Sequence, residues 1–410
     1  MDIKADIKAD IETEDRGEFI SLMEPLIISE HARQRGEIVD LAVELAQKST
    51  GLRRSLPENL LSSLATLLRA MNCYYSNLIE GHDTHPVDIE KALLQEYSAD
   101  DHQRNLQLEA RAHIAVQTWI DQGGLIGCAL TVEGLQNIHR RFCDDLPENL
   151  LWVENPVLRK RLPVVAGKWR SHDVKVGSHI AISPGAVPRF MNRFEKSYHG
   201  LGRTSSILAA ACAHHRLLWI HPFIDGNGRV ARLMSHAILL ETLDTGAIWS
   251  IARGLARNVD SYKSHLAACD LTRRNDLDGR GNLSEETFAN FTVFFLKICI
   301  DQVDFMESLI QPERLRTRIQ LWAEESIRLN VLPPKADAVL KALLYRGELQ
   351  RAEIPAIVGT GERQARRIVA ALIAEGVVVS KTSRAPLCLA FPALIAYRWM
   401  PGLFPEKIGN

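Results

Sequence analysis

His221-Pro222-Phe223-Ile224-Asp225-Gly226-Asn227-Gly228-Arg229-Val230-Ala231-Arg232 is the stretch from which the rest of the chain can be read. Apolar helical periodicity runs into it over 208–220 and out of it over 229–240, so it reads as a loop between two helices. Gly226 and Gly228 let successive backbone N–H groups turn toward one concavity, which opens on the positive end of the outgoing helix. Such a loop is suited to hold an anion. Arg229 and Arg232 are three apart in the first turn of that helix and project beside the same loop. Cations there oppose the helix dipole, which assigns them to a ligand rather than to helix stability. Asp225 next to phosphate oxygens suits Mg²⁺, which takes one or two carboxylates plus phosphates and water. His221 is the nearby side chain whose ordinary pKa suits a general base at neutral pH. Base, metal ligand, anion nest and two arginines together describe phosphate-ester chemistry on a nucleotide.

Working outward, a chain of 410 residues is long enough for two or three domains and a large core. Its 49 Lys plus Arg against 50 Asp plus Glu leave a net charge of −1, so any contact with nucleic acid or anionic membrane needs a local patch. Hydrophobic residues at 46% and charged residues at 24% exclude a disordered, fibrous or membrane class. Apolar runs such as 209–213 fall far short of the roughly 20 residues of a spanning helix. The first residues start with an acid and lack the basic flank and apolar core of an export signal. The seven cysteines (73, 128, 143, 212, 269, 299 and 388) form no C-x-x-C pair and read as reduced core thiols. The expected location is therefore cytoplasmic, away from any membrane.

The organisation is mainly α. Residues 1–28 are expected to be a flexible acidic N-terminal tail, since 1–18 repeat Asp-Ile-Lys-Ala and carry seven acids against three bases. A helical N-terminal region follows over 29–121, with Pro57 and Glu58 opening a helix that Gly81 closes. Residues 122–310 form the core around the loop. Within it, 163–184 is a short β island with Gly167 and Gly177 as turn punctuation. A connecting helix or linker over 311–334 ends at Pro333-Pro334. Residues 335–410 read as three helices (336–344, 351–358, 362–375) and a β-hairpin, the pattern of a winged helix-turn-helix.

The spacing of 221–232 matches H-x-F-x-D/E-G-N-G-R-x-x-R, and the chain thereby resembles the Fic-domain family from about residue 60 to 310. The resemblance implies a Fic-type helical core with a β-hairpin flap and adenylyl transfer (AMPylation) from ATP to a hydroxyl of a target protein. His221 would deprotonate the Ser, Thr or Tyr hydroxyl and Asp225 would hold Mg²⁺. Asn227 with the Gly226 and Gly228 amides would cradle the α-phosphate, Arg229 and Arg232 would bind the β- and γ-phosphates, and Phe223 would anchor the loop. In the kinase-like death-on-curing branch a lysine replaces Gly228, so glycine points to AMP transfer. Lys168, Trp169, Val174, Lys175, Val176 and Gly177 look like the flap that pairs with the target backbone. Tyr262 resembles the aromatic near the adenine pocket; a core tyrosine is the competing reading.

Ser76-Asn77-Leu78-Ile79-Glu80-Gly81 matches the family's inhibitory pattern S/T-x-x-x-E-G/N. Glu80 in the last turn of a helix is opposed by the macrodipole and needs a cation to explain its placement; Ser76 lies one turn earlier. The resemblance pairs Glu80 with Arg232, which keeps ATP from placing its γ-phosphate productively. The segment 276–287 imitates a calcium loop, but Arg280 and Thr287 stand at ligand positions 5 and 12, which excludes calcium. His214 and His215 read as packing residues. The C-terminal unit over 335–384 carries nine Lys plus Arg against five acids, with Arg363, Arg366 and Arg367 on its recognition helix. That leaves DNA or protein as its partner, and self-modification and a homodimer remain open. Two other functions compete: a DNA-binding regulator whose core senses nucleotide, and a deAMPylase in which Glu80 orients water.

Overall fold

The computed structural model describes residues 14–155 and 160–405. Backbone contacts divide it into two compact units: Met1–Val43, Gln122–Thr242 and Asn258–Lys297 in the first, and Glu44–Asp121, Leu243–Arg257 and Ile298–Asn410 in the second. The mainly helical class holds, with short two- and three-stranded sheets.

The first unit is built around the helix Arg203–Ile220, whose residues 207–213 are apolar on every face and buried, as a central helix requires. Around it lie the helices Val132–Asp144, Val187–Tyr198, Asn227–Leu243 and Val259–Cys269, and the start of Glu285–Ile310, which contributes Phe288, Phe291 and Phe295, all fully buried. The β island is a hairpin of Lys175–Val176 and His179–Ile180, with Lys175 opposite Ile180 and Val176 opposite His179. A second hairpin, Trp152–Asn155 with Lys160–Pro163, precedes it.

Part of the span expected to be a tail, 1–13, lies outside the described residues. Residues 14–28 are held against the unit: Met23, Leu26 and Ile28 are buried, and a 3-10 turn spans Ile20–Met23. Arg16 makes a two-pronged bond to Asp173 (2.8 and 2.9 Å), and Glu18 accepts from Ser183 N and Oγ (2.8 and 2.6 Å). Asp173 and Ser183 flank the hairpin on its two sides. The segment is held by the apolar side chains of Met23, Leu26 and Ile28 together with charge and hydrogen bonding, none of which shows in the acidic composition of 1–18. The calcium lookalike is a helix cap: Asp278 Oδ1 accepts from Ser284 Oγ and Glu286 N, both at 2.9 Å, at the start of Glu285–Ile310.

In the second unit the helix Glu58–Ile79 is preceded by Pro57 and capped by Glu80, with Gly81 following at φ +90°. The helix Pro312–Arg328 leads to the C-terminal elements. There the helices Ala336–Arg346, Ile354–Val358 and Glu362–Ala374 are followed by the strands Val378–Val379 and Leu387–Leu389. A strand not expected from sequence, Glu348–Leu349, pairs with the far side of Leu387–Leu389 and completes a three-stranded antiparallel sheet. The order of three helices and a small antiparallel sheet is the pattern expected from the sequence of 335–410. Leu340, Leu343, Ile368 and Leu372 fill its core, while Arg363, Arg366, Arg367, Lys381 and Arg384 are exposed. Among the described residues no helix is long and apolar enough to cross a membrane, and all seven cysteines are free.

Candidate active site

The helix Arg203–Ile220 ends at His221, which adopts the left-handed conformation (φ 52°, ψ 60°). For a residue with a Cβ this costs about 1–2 kcal/mol and persists only where neighbours fix it. Three bonds do so here. His221 N donates to Leu217 O at 2.9 Å, its carbonyl accepts from Arg170 Nε at 2.7 Å, and its Nδ1 lies 3.3 Å from Leu218 O. A carbonyl can only accept, so Nδ1 carries the ring hydrogen and Nε2 keeps its lone pair. Burial, with the charges of Arg170 and His179 adding to it, lowers the His221 pKa to about 4. The imidazole is neutral at pH 7, the state a proton acceptor needs.

The loop that follows is folded by its own side chains. Phe223 is fully buried and stacks on His139 with 4.0 Å between ring centroids and 2° between planes. Asn227 closes the turn from both ends of its amide: Phe223 N donates to Oδ1 and Nδ2 donates to Phe223 O, each at 2.9 Å. This clamp starts the outgoing helix at Asn227, two residues before the expected start, so Gly228 lies inside its first turn. Gly226, at φ +80°, is the glycine that makes the bend, a conformation L-residues rarely tolerate. First-turn N–H groups of a helix have no intrahelical acceptor and are suited to hold an anion.

Arg229 is nearly buried; its Nη2 donates to Asp225 Oδ2 at 2.9 Å and its guanidinium lies 4.5 Å from the Phe142 ring centre. Asp225 itself is exposed. Among the described residues no group of three or more His, Cys, Asp or Glu forms a metal cage. A lone exposed carboxylate beside a helix N-terminus does fit Mg²⁺ that takes its other ligands from phosphates and water. Arg232 is buried on the same helix, and its charge adds to the burial that lowers the His214 pKa to about 3. Tyr262 is 2% exposed and bonded through its hydroxyl to His214 Nε2 at 2.6 Å, so it sits behind the site in the core. His214 and His215 are buried packing residues: His214 Nδ1 bonds Ser235 Oγ at 2.9 Å, and His215 Nε2 bonds Asp270 at 3.1 Å.

The residues expected to form the flap lie next to this loop in the same unit. Trp169 tilts against Phe223 at 5.0 Å, Val174 O accepts from Ala181 N at 3.2 Å, and Lys168, Lys175, Val176 and Gly177 are exposed. His179 Nε2 bonds Trp219 O at 2.8 Å and ties the hairpin to the incoming helix. Ser76 and Glu80 belong to the second unit, where Ser76 is buried and Glu80 is the exposed C-cap of its helix.

Sequence reasoning did not single out His139 or Arg170. His139 Nδ1 accepts from Gly167 N at 2.9 Å, and a Cβ at Gly167 would fall 3.0 Å from Gln136 O while φ stands at +68°. His139 sits on an apolar helix face with Leu135, Ile138 and Phe142, where it looks like any core histidine.

The Fic/DOC family model matches residues 129–239. A protein adenylyltransferase Fic of Nematostella vectensis is 31% identical over 177 residues, covering 41% of this chain and 36% of that one. Its namesake in Drosophila persimilis is 28% identical over 222 residues, covering 51% and 40%. This chain thus spans well under half the length of the curated relatives it matches. A crystal structure of a Fic family protein from Desulfovibrio desulfuricans G20 superposes with a TM-score of 0.53 at 16% identity, over 89% of this chain and 98% of that one, which gives the fold. The residues 129–239 that the Fic/DOC family model matches include the loop at 221–232.

Proposed function

We propose that this protein transfers AMP from ATP to a hydroxyl side chain of a target protein. The observation that carries the reading is the juxtaposition, within one loop, of a neutral His221 with Nε2 free to accept a proton and a helix N-terminus flanked by Asp225 and Arg229. In the reaction the target oxygen bonds to the α-phosphorus, the bond to the bridging oxygen breaks, pyrophosphate leaves, and His221 Nε2 takes the hydroxyl proton. The first-turn N–H groups at Gly228 and Arg229 stabilise negative charge on the α-phosphate. The Asn227 side chain serves them by holding the loop. Asp225 would hold Mg²⁺, which would offset phosphate charge. Arg229 and Arg232 bind the outer phosphates, which means that Arg229 exchanges its bond to Asp225 for one to the nucleotide. Tyr262 acts from behind, through His214.

The hairpin of Lys175–Val176 and His179–Ile180 offers an exposed strand edge to the target, a mode in which backbone pairing supplies position and the side chains specificity. Glu80 restrains the enzyme by pairing with Arg232 in competition with the γ-phosphate. Its place at a helix C-cap, where the dipole disfavours a carboxylate, supports a cation as its partner. The exposed arginines of Glu362–Ala374 give the winged helix a surface for a polyanion. ATP labelled at the α-phosphorus tests the activity: label should pass to protein with Glu80→Gly and be lost on further change of His221→Ala.

A further inference from the structure

Arg170 is 3% exposed, yet every hydrogen bond its guanidinium makes among the described residues ends on a backbone carbonyl. Nε donates to His221 O at 2.7 Å, Nη1 to His172 O at 2.9 Å, and Nη2 to Ile182 O at 2.5 Å with a longer contact to Ile220 O. Its own N–H donates to Pro222 O at 2.8 Å. One side chain therefore holds three pieces of backbone: the turn at 220–222 that carries the base, and the segments at 172 and 182 on either side of the target-docking hairpin. Burying a guanidinium with no carboxylate bonded to it is costly, and burial lowers its pKa to about 10 even though the charges of Asp173 and Glu18 oppose the shift. A buried ionic group with such a cost needs a return that an apolar residue cannot give. The planar fork with several fixed donors gives one, since it dictates where the three carbonyls lie relative to one another.

We propose that Arg170 is a positioning residue that fixes the left-handed backbone of His221 in register with the hairpin that presents the target hydroxyl. The inference rests on the reading of the site as an adenylyl transferase. No phosphate-binding group is among the partners of Arg170, so its effect falls on proton transfer and on target alignment, and not on nucleotide affinity. A lysine keeps the charge but offers one ammonium in place of the fork, and a methionine keeps only the volume.

The test uses the full chain carrying Glu80→Gly, alone and with Arg170→Lys or Arg170→Met. For Arg170→Met, kcat for AMP transfer should fall on the order of 100-fold, as for a base displaced by about an ångström, with KM for ATP within about twofold. Arg170→Lys should recover part of kcat. Nitrogen NMR of the His221 imidazole provides a readout that needs no transfer: the parent should show the proton on Nδ1, and Arg170→Met a mixture of tautomers. If Arg170→Met does not fold, Arg170→Lys and the imidazole spectrum decide. An unchanged kcat, a KM for ATP that rises as kcat falls, or an unaltered tautomer would overturn the proposal. Absence of transfer by the parent would instead overturn the activity, and the imidazole spectrum alone would then judge Arg170.

Discussion

The ring of His139 lies parallel to that of Phe223, 4.0 Å between centroids, while its Nδ1 accepts the Gly167 N–H. One buried imidazole thus joins the helix Val132–Asp144, the strand lead-in at 167–170 and the floor of the catalytic loop. His139→Ala should remove the stack and leave the Gly167 N–H without its acceptor, at a cost on the order of 3–5 kcal/mol. His139→Phe keeps the stack alone and should cost less. Chemical denaturation of the two variants checks the order; equal stability of His139→Ala and the parent would contradict it.

Four histidines with lowered pKa values give the first unit a common response to acid. Burial lowers the pKa of His139, His215 and His221 to about 4 and that of His214 to about 3. In the unfolded chain these imidazoles take up protons near 6.5, so below that pH the unfolded state binds more protons and gains. Stability present above about pH 6.5 should drain away as pH falls to about 4, with the unfolding temperature dropping steadily over that window. A melting temperature flat from pH 7 to pH 4.5 would rule this out. If His221 is the base, as proposed, kcat/KM should hold from neutrality to about pH 5 wherever the protein remains folded, with Arg170, His179 and Asp225 as the charges facing it.

The exposed arginines of the helix Glu362–Ala374 are a separate proposed contact, to a polyanion. Duplex DNA binding by the full chain should weaken steeply with salt, and joint replacement of Arg363, Arg366 and Arg367 by alanine should lower the salt slope by about 0.9 per lost phosphate contact. Fluorescence anisotropy against salt concentration measures this. No binding at low salt would give the domain a protein partner.

The loop at 221–232 was legible because its chemistry is local: histidine, carboxylate, glycines and arginines fall within it, and periodicity marks the flanking helices. The Asn227 amide clamp was not, since an Asn beside two glycines reads as a phosphate ligand or a turn residue, and only the folded loop shows both amide ends bonded to Phe223. The role of Arg170 was hidden for a stronger reason. Its partners are carbonyl groups, which every residue carries, and one of them lies 51 positions downstream. The strand Glu348–Leu349 is too short for an alternating pattern and exists through its pairing with Leu387–Leu389.

The central claim is that His221 drives AMP transfer and that Glu80 restrains it. The most direct measurement follows label from α-phosphorus-labelled ATP into protein for the parent, Glu80→Gly, Arg232→Ala, and Glu80→Gly with His221→Ala. Charge-assisted hydrogen bonds contribute roughly 1.5–3 kcal/mol, so Glu80→Gly should exceed the parent by about 10- to 100-fold. Arg232→Ala should not mimic it, because that change removes a phosphate ligand together with the partner of Glu80. Adding His221→Ala should return labelling to background while ATP still binds. Equal labelling by the parent and Glu80→Gly would contradict the restraint, and undiminished labelling after His221→Ala would contradict the account of the base.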